Sequence, residues 1–160
     1  VGVAKFGFSD NICKEVRMND IKTGIYRHYK KGDLYFASEV REDHDTGDLW
    51  VNYDALYPGT TRGYTRKLAF FRTKVPDANN NPVERFMLME PLPPEKMQML
   101  LPGAMVNVPN VNDLVFKVES LFEKDGVILV QTEEGADRKT HRTIPLMFFL
   151  MDFSVLRSAE

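Results

Sequence analysis

The strongest constraint on this chain is a pattern stated twice. Residues 24 to 71 run as a glycine, a strand-like stretch, a polar turn, a second strand-like stretch and a basic run ending in Phe-Phe, and a looser version returns about eighty residues later. Gly24-Ile25 is matched by Gly103-Ala104, Asp33-Leu34-Tyr35-Phe36 by Asp113-Leu114-Val115-Phe116, and Glu39 by Glu119. Gly47-Asp48-Leu49-Trp50-Val51 is matched by Gly126-Val127-Ile128-Leu129-Val130, and Leu68-Ala69-Phe70-Phe71 by Leu146-Met147-Phe148-Phe149. A tandem repeat is the expectation, with convergent hairpin patterning as the alternative.

Within each unit the hydrophobic period is two, the signature of strands. Leu34, Phe36, Ser38 and Val40 share one face of a strand, and Tyr35, Ala37 and Glu39 share the other. The turn Asp43-His44-Asp45-Thr46-Gly47 supplies the side-chain bonds and the positive φ that a reversal needs. Leu49, Val51 and Tyr53 then point inward, and Trp50, Asn52 and Asp54 outward. A further strand covers Tyr64–Phe71, and Pro76–Pro82 turns Phe71–Val75 back onto Val83–Met89. Five or so short strands in about 70 residues predict a mainly β chain of two tandem small SH3-like β-barrels, closed or half-closed.

The prolines at 91, 93 and 94 mark the boundary between the units. A short helix with Pro94 in its first turn, stopped by Pro102-Gly103, is expected to bury Met97, Leu100 and Leu101. The expected domains are 1–90, a helical proline-rich linker at 91–102, and 103–160. Ahead of the first unit, Val1–Phe8 reads as a strand and Ile12–Val16 as a short helix capped from Ser9-Asp10-Asn11. The second unit closes with Thr143–Leu150 and a last strand near Phe153–Leu156.

With 43% apolar residues the chain is globular in composition, and its net charge of −2 and pI near 6.0 do not mark a nucleic-acid binder by bulk electrostatics. The average hides a local excess. From Ala55 to Val75 there is no carboxylate, while Arg62, Arg66, Lys67, Arg72 and Lys74 all fall there. The single cysteine, Cys13, rules out an internal disulfide and a cysteine-based zinc site, and reads as an ordinary apolar side chain in a reducing compartment. No apolar run reaches the roughly 20 residues a bilayer demands, and the first residues lack a signal-peptide pattern, so a cytoplasmic location is expected.

Two copies of one plan supply an internal comparison: what both share serves the scaffold, and what one alone carries is a candidate for function. Only the first has Tyr26-Arg27-His28-Tyr29-Lys30-Lys31, where the second has Met105-Val106-Asn107-Val108-Pro109-Asn110. Only the first has His44, Trp50 in place of Leu129, and Arg66 in place of Ile144; Tyr64 and Lys67 flank that arginine. Aromatic rings beside guanidinium and ammonium groups stack on bases while neutralising phosphate, and suit an acidic peptide equally well. The plainer reading makes Tyr26 and Tyr29 strand residues and the cations a solvated face.

These residues resemble a known family. Gly24-Ile25-Tyr26-Arg27-His28-Tyr29-Lys30, then His44-Asp45-Thr46-Gly47, then Val51-Asn52-Tyr53-Asp54-Ala55-Leu56-Tyr57, then Arg66-Lys67-Leu68-Ala69-Phe70, and last Arg85-Phe86, are similar in that order to the bacterial and phage domain-of-unknown-function family 1653. Lys67 stands where that family has proline, and Tyr64 where it usually has tryptophan. The resemblance covers about residues 22 to 88. It implies a compact β-domain, often phage-encoded, with no established activity.

Chemistry is thin by contrast. No G-x-S-x-G nucleophile turn or phosphate-binding G-x-x-x-x-G-K-[ST] loop occurs. Metal binding would have to use His28, His44, Asp43 and Asp45, but the last three belong to a plain Asp-His-Asp-Thr-Gly turn, and His141 lies in the basic stretch Arg138–Arg142, which reads as a solvated loop. No catalytic residue, metal or cofactor is expected. The expected function is a non-catalytic binding module whose basic-aromatic residues Tyr26, Arg27, His28, Tyr29, Lys30, His44, Trp50, Tyr64, Arg66 and Lys67 engage a polyanion: nucleic acid, a nucleotide or an acidic protein surface. The alternatives are a protein–protein adaptor or inhibitor of host machinery, and an enzyme acting on nucleotides through His28 and His44.

Overall fold

The computed structural model describes residues 21–59, 63–109, 114–135 and 140–156. The strand expected over Val1–Phe8, the helix over Ile12–Val16 with Cys13, and the cations Arg62, Arg138 and Lys139 lie outside them. The described chain is mainly β. Two five-stranded antiparallel sheets dominate it. The first holds β1 (Gly24–His28), β2 (Leu34–Glu42), β3 (Leu49–Ala55), β4 (Tyr64–Lys67) and β7 (Phe86–Pro91) in the order β4-β3-β2-β1-β7. Between β4 and β7 lies a small hairpin of β5 (Lys74–Pro76) and β6 (Pro82–Glu84), reversed by Asp77, whose carboxylate accepts from the backbone N–H groups of Asn79 and Asn81. The second sheet holds β8 (Met105–Asn107), β9 (Val115–Lys124), β10 (Val127–Glu134), β11 (Thr140–Pro145) and β12 (Ser154–Val155) in the order β11-β10-β9-β8-β12. In chain order within each sheet, both run fourth, third, second, first, fifth. Both are open in their hydrogen bonding, since β4 is not paired with β7, nor β11 with β12, among the described residues.

The expected strand Tyr64–Phe71 is half strand. After Lys67 the backbone turns into the helical segment Leu68–Phe71, and the second unit does the same at Leu146–Asp152. The motif Leu-x-x-Phe explains the switch. A helical turn brings i and i+3 to one side, so Leu68 with Phe71, and Leu146 with Phe149, enter the core together, whereas a strand would separate them. The other half of each Phe-Phe pair is expelled: Phe70 is 57% exposed and Phe148 60%, against 1% for Phe71 and none for Phe149.

The alternation expected along β2 also breaks, at a β-bulge. Ala37 pairs with Tyr53 and Glu39 with Asn52, so Ser38 is an extra residue with no partner of its own in the ladder. One inserted residue moves every later side chain to the other face. Leu34 and Phe36 therefore share one core, while Val40, expected beside them, packs with Ala37 and Val51 in another. A matching irregularity in β9 leaves Glu119 as the odd residue between Val118, opposite Thr132, and Ser120, opposite Gln131.

The first sheet is buried on both faces. Ile25, Leu34, Phe36 and Leu56 join Val106, Phe116, Val118, Val130 and Phe149 of the second half in one cluster, completed by Met99 and Leu100 of the linker. On the opposite face Tyr26, Ala37, Val51, Tyr53, Leu68, Phe71 and Phe86 make a smaller aromatic core, in which Phe71 and Phe86 stack at 4.3 Å. The Leu121 N–H donates to the Leu56 carbonyl at 2.7 Å, and Arg27 pairs with Glu123, so backbone and charge both cross between the halves. The linker forms a 3-10 turn at Pro94–Lys96 and one α-turn at Met97–Leu100. Leu100 is buried as expected; Met99, rather than Met97 or Leu101, is the second deep residue.

Gly24 shows why β1 must open on glycine. Its φ is +148°, and a Cβ there would lie 2.2 Å from the Glu90 carbonyl oxygen on β7. No described helix is long and apolar enough to cross a membrane. The helical phase of the second Phe-Phe pair makes a direct prediction. In urea unfolding, Phe149→Ala is expected to cost about 3–5 kcal/mol and Phe148→Ala no more than about 0.5 kcal/mol. Equal losses at the two positions would contradict the helical turn.

Candidate site: a tyrosine, histidine and arginine face on the first sheet

Opposed residues in an antiparallel ladder point to the same side, so the register sorts the candidate side chains by face. Tyr26 lies opposite Tyr35, His28 opposite Phe86, Tyr53 opposite Tyr64, and Val51 opposite Arg66. All of these belong to the face that carries the aromatic core. Trp50 opposite Lys67, and Asn52 opposite Thr65, belong to the other. The ten residues singled out in the sequence therefore do not form one surface.

Tyr26 is a core residue. It is 5% exposed, packs edge-on to Phe71 at 5.2 Å, and donates its hydroxyl to the Lys22 carbonyl; burial pushes its phenol up to about 12. Arg27 points the other way and is taken by Glu123 of the second half. It serves the interface between the halves and lines a cleft of about 660 Å³ there, with Tyr29, Lys31 and Glu123 among its walls. His44 sits at the tip of the β2–β3 turn, wholly exposed, 3.5 Å from Asp45. Trp50 carries the Lys67 ammonium 5.6 Å from its ring centre, and that ammonium also bonds Asp48 at 2.9 Å, which holds the Asp48 carboxyl below its usual range.

What remains together is a narrower group. Tyr64 stacks on Tyr53 at 5.4 Å, and Tyr35 stands edge-on to Tyr53, Tyr57, Tyr64 and Phe86. The Tyr35 and Tyr57 hydroxyls bond each other at 2.9 Å; burial, then that bond, pushes the Tyr35 phenol up. At the margin of this cluster His28 packs on Phe86 and Tyr29. Its Nδ1 accepts a long bond from the Lys30 N–H at 3.4 Å, which fits a neutral imidazole. Burial is the largest influence lowering the His28 pKa, followed by the charges of Arg85 and Arg66; Lys30 acts the same way, and Asp33 alone opposes them. Arg85 brings a further positive charge to this margin, and its Nε is buried with no hydrogen-bond partner among the described residues. Tyr35, Tyr57 and Arg85 belong to this candidate face but are not among the ten residues singled out in the sequence. The first two read as strand and loop positions, and only the Arg85-Phe86 dipeptide of the family pattern pointed at the third.

The family model described as "Protein of unknown function (DUF1653)" matches residues 24–88. Among solved structures, the crystal structure of a DUF1653 protein from Bordetella bronchiseptica is 32% identical, over 48% of this chain and 97% of that one, with a TM-score of 0.42. No curated protein matches the chain.

Burial of His28, together with the cations around it, fixes the sign of a pH effect. Its folded pKa lies below the ordinary value of about 6.5, so the unfolded chain takes up the proton first as pH falls. The contribution is complete above about pH 6.5 and is lost as pH drops through the window down to the folded midpoint. An NMR titration of the imidazole should give a midpoint under the ordinary value, and His28→Gln should flatten the stability slope in that window. A midpoint at or above the ordinary value would contradict the burial of the imidazole and the cations converging on it.

Proposed function

Through residues 24–88 the chain belongs to the DUF1653 family of proteins of unknown function, and from that premise we propose that it is a non-catalytic binding module for a ring-bearing polyanion, a nucleotide or a single strand of nucleic acid. The observation that carries this reading is the gathering of Arg85, Arg66 and Lys30 around the half-buried His28, at the edge of a face made of tyrosines. Cations held near aromatic rings suit phosphate neutralisation beside base stacking. The buried, unpaired Arg85 Nε favours an acceptor from outside the chain, since a guanidinium N–H without a partner is costly. Tyr29, 37% exposed against His28, offers an accessible ring at the same margin.

We extend the proposal to architecture. Two copies of one small SH3-like β-fold, 1–90 and 103–160 joined through 91–102, are favoured by the identical strand order of the two sheets, by the helical turn ahead of the last strand in each, and by a bulge in each second strand. The first copy then carries the ligand face, and the second has Ile144 where Arg66 stands.

The test is a fluorescence-anisotropy titration with labelled oligo(dT), with ATP as competitor. Wild-type binding should weaken steeply from 50 to 200 mM salt, a span over which ~10³-fold losses accompany six or more phosphate contacts. Arg66→Glu and Lys30→Glu should each weaken it at least about tenfold, while Lys124→Glu, an exposed residue of β9, should not. Arg27 is left intact, because reversing its charge would set two carboxylates against each other at the interface. Absent binding at 50 mM salt, or undiminished binding by Arg66→Glu, refutes the reading.

A further inference from the structure

Three adjacent strands of the second sheet bring together Glu119 of β9, Glu133 of β10 and His141 of β11, with one donor atom from each lying within 4.8 Å of the others. We propose that these three side chains form a binding site for a first-row divalent transition cation such as Zn²⁺. The His141 Nδ1 already lies 3.1 Å from Glu119 Oε1. Two ligands at 2.0–2.1 Å on a tetrahedral ion stand roughly 3.3 Å apart, so this pair has the spacing of one coordination edge. Only the Glu133 carboxylate, directly opposite His141 in the ladder, has to close the set.

The bulge makes the arrangement. Glu119 is the unmatched residue of β9, and an inserted residue re-aims its side chain across the sheet. It thereby meets Glu133, so two carboxylates share one spot, and Glu119 is withdrawn from water, with its side chain only 18% exposed. Like charges pressed together away from solvent are relieved by a proton or by a cation between them, and a divalent ion neutralises both. The imidazole selects among cations: Mg²⁺ and Ca²⁺ prefer all-oxygen shells, whereas one nitrogen with two carboxylates suits Zn²⁺, Co²⁺ or Fe²⁺. The half-exposed His141 side leaves room for water to complete the shell. Lys117 lies opposite Glu133 on the same face, so its positive charge works against a cation bound there. The first sheet has no counterpart among the described residues: its bulge residue is Ser38, and neighbouring Glu39 is bonded to Asn52 and Arg41.

The experiment uses the full chain carrying Cys13→Ser, so that a thiol cannot supply the ligand. Co²⁺ should bind with one equivalent per chain, developing visible d–d absorption that Zn²⁺ displaces. Zn²⁺ should raise the melting temperature, as any ligand of the native state does. His141→Gln and Glu119→Gln should each lower the affinity by at least about tenfold, since even outer partners of a ligand cost that much, and should abolish the thermal shift. His44→Gln should change neither, and Lys117→Met should tighten binding by removing the opposing charge. No binding at millimolar Co²⁺ or Zn²⁺, or binding that survives both ligand substitutions, overturns the site.

Discussion

The molecule depends on a core that neither sheet could make alone. Ile25, Leu34, Phe36 and Leu56 leave the first sheet on one side, and Phe116, Val118, Val130 and Phe149 meet them from the second, with Leu100 of the linker filling between. Packing the two sheets against each other buries apolar side chains that each would otherwise leave facing water. It also explains the linker, whose Met99 and Leu100 are buried as deeply as the strand residues around them.

Burial of the first sheet on both faces decides where a ligand can reach it. The face toward the second half is taken, and so is Arg27, which closes the border of that contact on Glu123. The centre of the other face is filled by Phe71 and Phe86. Accessible chemistry is left at the margin, where His28, Tyr29 and Arg66 gather, and on the outer side of the second sheet, where Glu119, Glu133 and His141 do. The candidate side chains lie outside the packed middles, which are spent on the cores.

Two local devices turned the regular pattern into this arrangement. The Leu-x-x-Phe turns exchange period two for a helical period, sinking one phenylalanine and exposing its neighbour. The bulges at Ser38 and Glu119 reverse the facing of the later residues in their strands. Neither device can be found from alternation, since a short Leu-x-x-Phe run fits a strand end as well as a helical turn, and one extra residue in a ladder is invisible until the partner strand is known.

Strand existence, the turns at Asp43–Gly47 and Pro76–Pro82, the linker helix and the mainly β class were legible in the residues, because each is set by neighbours a few positions apart. So was the aromatic and basic character of the first unit. Which of those residues act together was not. Tyr26 and Arg27 are adjacent in sequence yet point to opposite sides of the sheet, and Trp50 is separated from Arg66 by the sheet itself. Arg85 joins His28 from across the ladder, and Glu119 joins His141 over three strands. Local order follows from short-range backbone and side-chain preference, whereas a site is a meeting of distant segments, fixed only when register and packing have been chosen.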